Sequence, residues 1–184
     1  MRLFTAIEIS DEVKNNLRIL LERLRPAAKL AKLSWTRVDN LHITTKFIGE
    51  WPEDRFEDMK RALSSVGSPG AIPVRVSGIG WFPNARNPRV LWAGVHAEEP
   101  LKSLASATDA AVHAIGVARE DREYSPHLTL ARIRDRTPLH ALDTLRSAID
   151  SLGPAEFGSF PATEFHLYLS AAGKYTKLAQ FGLT

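Results

Sequence analysis

The order of secondary-structure elements predicted from this sequence repeats once along the chain. Segments rich in β-branched and aromatic residues alternate with segments whose apolar residues recur every three or four positions. The order strand, helix, strand, helix, strand runs over residues 3–79 and returns over residues 89–170. Corresponding elements are offset by roughly 85 to 91 residues, and such a fixed period indicates an internal duplication. The repeat predicts two similar lobes within a single domain, residues 1–184, with a closing strand over residues 175–181.

The predicted elements favour antiparallel sheets. The predicted strands cover residues 3–9, 41–48, 72–79, 90–95, 127–133, 163–169 and 175–181. Four helices are expected, with apolar stripes that begin at Val13, Phe56, Leu101 and Leu139 and with Ser10 and Thr137 as N-caps of the first and fourth. The segments FPNARNP and AAGK are typical of hairpin turns, which join antiparallel strands. We therefore expect an α+β fold of two antiparallel sheets, with helices outside and a central groove between the lobes.

Composition limits the chemistry that the chain can perform. The 184 residues include no cysteine, which excludes thiolate nucleophiles, disulfides and cysteine-ligated metal sites. The net charge of +3 permits nucleic acid as a partner without indicating it. Apolar stretches fall well below the roughly 18 to 20 residues of a membrane span, and the N-terminal segment lacks a signal-peptide layout. We expect a cytoplasmic monomer that makes no membrane contact.

A His-x-Thr motif occurs in the middle strand of each predicted unit. Strand alternation sends His42 and Thr44 to one face, and the same parity places His127 beside Thr129. A His-x-Thr pair alone arises often by chance, so the weight of the motif comes from its matching position in two copies of the repeat. If the lobes are related by an approximate two-fold axis, the two pairs converge on one pocket.

Two imidazoles and two hydroxyls suit the hydrolysis of a phosphodiester without a metal or cofactor. A neutral imidazole can deprotonate water while a protonated one donates to the departing oxygen. Threonine hydroxyls can bond the non-bridging oxygens as their charge grows. The alternative of partly buried structural histidines remains open. A metal site is a further alternative, although neither motif has a second histidine or a carboxylate two residues away.

The sequence resembles the 2H phosphoesterase superfamily over nearly its whole length. The resemblance is closest to the bacterial and archaeal RNA 2′,3′-cyclic phosphodiesterases, historically called 2′-5′ RNA ligases. It rests on the segments RLFTAIEI, NLHITTKFIGE, GWFP, PRVLWAGV, YSPHLTLARI, FHLYLS and GKYTKLAQF. The chain departs from the family pattern at Tyr124 and Ser125, where another aromatic and commonly a basic residue are expected, and this departure concerns substrate preference.

The resemblance implies a reaction and roles for individual residues. A terminal 2′,3′-cyclic phosphate on RNA would be hydrolysed to a 2′-phosphate, with His42 as general acid on O3′ and His127 as general base. Ligation of 2′-5′ ends would be the reverse reaction and would need no ATP. Arg132, five residues after His127, would be a phosphate ligand, although strand parity turns it away unless a bulge returns it. Tyr124 would stack on a terminal base, or else pack at the strand entry.

Further alternatives remain open from the sequence. Arg37 and Lys46 would add positive potential to the site, or would be simply exposed; alternation places Lys46 on the His42 face and Phe47 on the opposite one. The substrate would instead be a small cyclic nucleotide or the cyclic phosphate of ADP-ribose if the rim loops favour it. A non-catalytic RNA-binding module is a third interpretation, which two intact motifs argue against.

Overall fold

The computed structural model describes residues 1–67, 69–135 and 137–183. The four helices are α1 (Asp11–Leu24), α2 (Phe56–Ser64), α3 (Glu98–His113) and α4 (Asp143–Asp150). The strands are β1 (Arg2–Glu8), β2 (Leu33–Trp35), β3 (His42–Glu50), β4 (Ile72–Phe82), β5 (Val90–His96), β6 (His127–Ile133), β7 (Glu156–Ala162), β8 (Glu164–Ala171) and β9 (Lys174–Gly182). In the described part of the chain, no helix is both long enough and apolar enough to span a membrane.

The strands form two sheets in which every pairing is antiparallel. The first sheet has the order β3-β1-β8-β9, and the second has the order β2-β6-β5-β4-β7. The α+β prediction with antiparallel sheets is confirmed. Each sheet draws strands from both predicted units, because β4 pairs with β5 across the predicted hairpin and β8 pairs with β1. The sheets nevertheless match position by position, with β3, β1 and β8 corresponding to β6, β5 and β4.

Helix boundaries follow the predicted signals at α1 but not at α4. The Ser10 hydroxyl accepts a hydrogen bond from the Val13 N–H at 3.3 Å, as expected of an N-cap. Before α4 the predicted cap is wrong, because the Thr137 hydroxyl donates to the carbonyls of Lys32 and Arg134. Pro138 has extended backbone and leads into a 3₁₀ turn, so α4 begins only at Asp143. Helices α1 and α3 pack against β7 and β3 and bury their apolar stripes there.

Two strands have no alternating apolar pattern and escape sequence-based prediction. β2 is only three residues long and lies at the edge of the second sheet, against β6. β7 contains Gly158 and Pro161, both unfavourable inside a central strand. It lies at the opposite edge of the same sheet, where a missing N–H donor is tolerated. Both strands widen the second sheet without contributing a motif residue.

Candidate active site

A cleft of about 580 Å³ lies between the two sheets and contains both His-x-Thr motifs. His42 and Thr44 reach it from β3, and His127 and Thr129 reach it from β6. All four side chains are half-buried, whereas the residues between them in each motif point into the core. The two middle strands lie against each other. The structure thus places two imidazoles and two hydroxyls in one space.

Each imidazole is held by a main-chain carbonyl two residues earlier. His42 Nδ1 lies 2.7 Å from the Asn40 carbonyl oxygen, and His127 Nδ1 lies 2.8 Å from the Ser125 carbonyl oxygen. Because a carbonyl only accepts hydrogen bonds, Nδ1 is the protonated nitrogen of each neutral ring. Nε2 therefore carries the lone pair on both histidines. That nitrogen can take a proton when the ring is neutral or give one when it is charged.

The electrostatic surroundings favour the neutral form of both rings. Burial is the largest cause of the lowered pKa of His42, opposed by its bond to Asn40, and the charge of His127 lowers the pKa further. The pKa of His127 is also lowered first by burial, opposed by its bond to Ser125, and then by the charge of Arg132. Since protonation of one ring disfavours protonation of the other, a single proton shared by the pair is favoured over two.

Aromatic rings enclose His42 more completely than His127. The Phe4 centroid lies 4.8 Å from the His42 ring, and Tyr175 meets the same ring edge-on at 5.3 Å. His127 has one such neighbour, Phe82, whose ring is edge-on at 4.9 Å. The enclosure excludes water from one side of His42 and accounts for the burial that lowers its pKa.

A bulge in β6 brings Arg132 into the cleft. Leu91 pairs with Ala131 and Trp92 pairs with Thr129, which leaves Leu130 without an opposite residue on β5. Leu130 and Ala131 are consequently both buried, and the alternation restarts with Arg132 on the cleft side. The consecutive apolar residues were the one sequence signal of this shift. Arg132 has no ion-pair partner among the described residues and lies close enough to lower the pKa of His127.

A similar bulge in β3 places Lys46 and Phe47 on faces opposite to those predicted. Thr5 pairs with Lys46 and Ala6 with Thr44, so Thr45 is the extra residue. Lys46 is turned away from the cleft, and its Nζ lies 2.6 Å from the Asp109 carboxylate. It is neither on the His42 face nor exposed. Phe47 takes the cleft position that corresponds to Arg132, and its side chain is 57% exposed.

Tyr124 lies outside the cleft lining, so the structure favours the alternative of packing at the strand entry over the stacking role. Its hydroxyl donates to the Thr44 carbonyl at 2.9 Å, and its ring packs against the main core. Burial raises the pKa of Tyr124, so the hydroxyl stays protonated and remains a donor. The residue therefore connects the chain ahead of β6 to the motif of β3. Arg37 is exposed and also lies outside the cleft lining.

Sequence reasoning missed several residues that line the cleft. Strand pairing brings in Arg2 and Phe4 from β1, Ser170 from β8 and Tyr175 from β9, and the connection before β3 adds Thr36 and Asn40. The four strand positions are distant in the sequence from both motifs, whereas Thr36 and Asn40 lie shortly before His42; none of the six belongs to a motif of its own. In the described part of the chain, no group of three or more His, Asp or Glu side chains is arranged to hold a metal ion.

Comparison with known proteins places this geometry among phosphoesterases. A family described as LigT like phosphoesterase matches residues 7–92 and 95–175. The chain is 31% identical over 162 residues to the RNA 2′,3′-cyclic phosphodiesterase of Archaeoglobus fulgidus, covering 87% of this chain and 88% of that one. It is 32% identical over 190 residues to the protein of the same name from Methanothermobacter thermautotrophicus, covering 100% and 99%. A crystal structure from Thermus thermophilus superposes with a TM-score of 0.76 at 29% identity, covering 100% and 98% of the two chains.

Proposed function

The chain belongs to the LigT-like phosphoesterase family, and we propose that it hydrolyses 2′,3′-cyclic phosphates at RNA ends to 2′-phosphates without a metal ion. The observation that carries the proposal is the pair of imidazoles, each anchored through Nδ1, in one cleft with two threonines and with Arg132, which has no ion-pair partner among the described residues. The relatives named above supply the substrate class. The cleft supplies an acid, a base and donors for phosphate oxygens.

His127 acts as the general base in this mechanism. Its neutral Nε2 takes a proton from water as the water oxygen bonds to phosphorus, on the side opposite O3′. Burial is the largest cause of the lowered pKa of His127, and the charge of Arg132 lowers it further, which favours the neutral ring before attack. The same guanidinium can bind a non-bridging phosphate oxygen. One residue thus prepares the base and stabilises the charge that develops on the phosphate.

His42 acts as the general acid. The bond between phosphorus and O3′ breaks, and protonated Nε2 of His42 gives its proton to O3′, which leaves the phosphate on O2′. The assignment of acid and base follows the family resemblance and agrees with the position of Arg132 beside the other histidine. Thr44 and Thr129 donate hydroxyl protons to the non-bridging oxygens. After product leaves, the two imidazoles exchange protons with water and regain their starting states.

The same site can form a 2′-5′ linkage, which is the ligation expected from the sequence. A 5′-hydroxyl takes the place of water, and the cyclic phosphate supplies the energy of the new ester, so ATP is not consumed. His127 deprotonates the 5′-hydroxyl and His42 protonates O3′, as in hydrolysis. The product depends on which nucleophile, water or a 5′-hydroxyl, occupies the side of the phosphate opposite O3′.

An oligoribonucleotide ending in a 2′,3′-cyclic phosphate tests the proposal when it is incubated with the purified protein in EDTA. We expect complete conversion to the 2′-phosphate, identified by ³¹P NMR. The His127→Ala protein prepared in parallel controls for contaminating nucleases. A 3′-phosphate product, or activity that appears only after a divalent metal is returned, would overturn the mechanism. Hydrolysis of cyclic mononucleotides alone would redirect the proposal to a small-molecule substrate.

A further inference from the structure

Arg2 is a second unpaired cation in the cleft. Arg2 and Arg132 are the two Lys or Arg residues among the described residues that line it, and no carboxylate lines it. Glu50 lies across from Arg2 in the strand register, but its carboxylate is 3.6 Å from the Met1 ammonium. Neither arginine has an ion-pair partner in the described part of the chain. The cleft therefore offers two separate positions to anionic groups.

Arg2 and His42 lie at opposite ends of the pairing between β1 and β3, because Arg2 pairs with Glu50 and His42 pairs with Glu8. Alternation along β1 places Arg2, Phe4 and Ala6 on the cleft face, and Ala6 is paired with Thr44. Ala6 is four positions after Arg2, which is about 13 Å along an extended strand. This register places Arg2 at the end of the cleft away from a phosphate held between the motifs. Arg2 can bind a different phosphate of the same substrate.

The wall between the two positions carries an exposed aromatic ring. Phe47 pairs with Phe4 in the strand register and lies between the level of Thr44 and that of Arg2. Its ring is 57% exposed within the cleft, and Tyr175, 38% exposed, lines the same space. Exposed aromatic rings beside cationic side chains are the features that bind single-stranded nucleic acid, by stacking on bases while the cations hold the backbone.

We infer that Arg2 binds an internucleotide phosphate upstream of the cyclic end, with Phe47 against the intervening nucleoside, so that oligonucleotides are preferred over cyclic mononucleotides. The inference rests on the proposed function and names its substrate class more narrowly. A cyclic mononucleotide carries one phosphate, which is bound by the motifs and Arg132. Only a longer chain supplies a second phosphate at the distance of Arg2.

Steady-state kinetics on two substrates test the inference. We compare 2′,3′-cyclic AMP with a triadenylate that ends in a 2′,3′-cyclic phosphate, using wild type, Arg2→Gln and the control Arg23→Gln. Arg23 is exposed on α1 and lies outside the cleft lining. Loss of one charged hydrogen-bonding group should lower kcat/KM on the triadenylate about 10-fold for Arg2→Gln. The mononucleotide rate should be unchanged for both variants, and the control should match wild type on both substrates.

Neutral methylphosphonate linkages locate the contact on the substrate. Replacing the internucleotide phosphates of the triadenylate should lower kcat/KM of wild type about as much as Arg2→Gln does. In the Arg2→Gln protein the same replacement should have little further effect, because both changes remove the same interaction. Equal losses on both substrates, or no loss on either, would overturn the subsite. Failure of the proposed function has a different result, in which wild type leaves both cyclic phosphates intact.

Discussion

The hydroxyl of Tyr124 donates a hydrogen bond to the main-chain carbonyl of Thr44 across 2.9 Å, and this bond connects the segment ahead of β6 to β3. Tyr124 stands three residues before His127, and Thr44 belongs to the motif of the other sheet. We therefore expect the separation of the two imidazoles to depend in part on Tyr124, acting as a positioning residue outside the cleft lining.

Tyr124→Phe should lower both stability and turnover. Loss of one partly buried hydrogen bond costs about 1 kcal/mol of the free energy of unfolding, measured by urea denaturation. We expect kcat to fall several-fold with KM nearly unchanged, because the motifs lose alignment while the substrate contacts remain. A variant with wild-type stability and wild-type kcat would contradict the positioning role. A loss of rate as large as that of a histidine variant would also contradict it.

Arg132→Gln should slow the reaction and move its pH profile. Removing a donor to the phosphate is expected to lower kcat/KM by roughly 10²- to 10³-fold. The charge of Arg132 lowers the pKa of His127, so its removal raises that pKa. A base must be deprotonated, so the acidic limb of the profile should move to higher pH. Arg134→Gln, which alters an exposed residue two positions later, is the control, and the same limb moving to lower pH in Arg132→Gln would refute the assignment.

Tyr175→Ala should raise the pKa of His42. Burial is the largest cause of the lowered pKa, and the edge-on ring of Tyr175 supplies part of that burial. Opening this side to water restores hydration of the charged imidazole. NMR titration of the histidine ring protons should show the His42 midpoint at higher pH, with His127 little changed. Because an acid must be protonated, the alkaline limb of the activity profile should move upward as well. An unchanged or lower His42 midpoint would show that Tyr175 does not shield the ring.

Lys46→Met should destabilise the fold and spare substrate binding. The Lys46 and Asp109 side chains are 5% and 15% exposed, and removing Lys46 leaves Asp109 with the Glu120 N–H and the Arg119 guanidinium as partners. Loss of this charged hydrogen bond costs about 2 kcal/mol. Urea denaturation measures the loss, and Lys60→Met on α2, which breaks an exposed pair with Glu57, should cost less than 1 kcal/mol. A raised KM with unchanged stability would instead place the Lys46 charge in the cleft.

Strand alternation was enough to predict that His42 shares a face with Thr44. It was also enough to predict that His127 shares one with Thr129, because each motif is three residues long and ends before a bulge. Beyond the bulges the same rule predicted the wrong strand face for Lys46 and Phe47 and did not decide the face of Arg132. Whether a strand bulges depends on its register with a neighbour, and local periodicity does not contain that information. The presence of Arg2 and Ser170 in the cleft also depends on strand pairing, since β1 and β8 pair across more than 150 residues.

The two-histidine mechanism is tested most directly by single-turnover hydrolysis of a cyclic-phosphate oligonucleotide in EDTA by His42→Ala, His127→Ala and the double variant. We expect each single variant to lose several orders of magnitude in rate, and the double variant to lose little more, because acid and base act as a unit. His140→Ala, which removes an exposed histidine outside the cleft lining, should keep the wild-type rate. Near-wild-type turnover in either single variant, with its fold intact by circular dichroism, would contradict the mechanism.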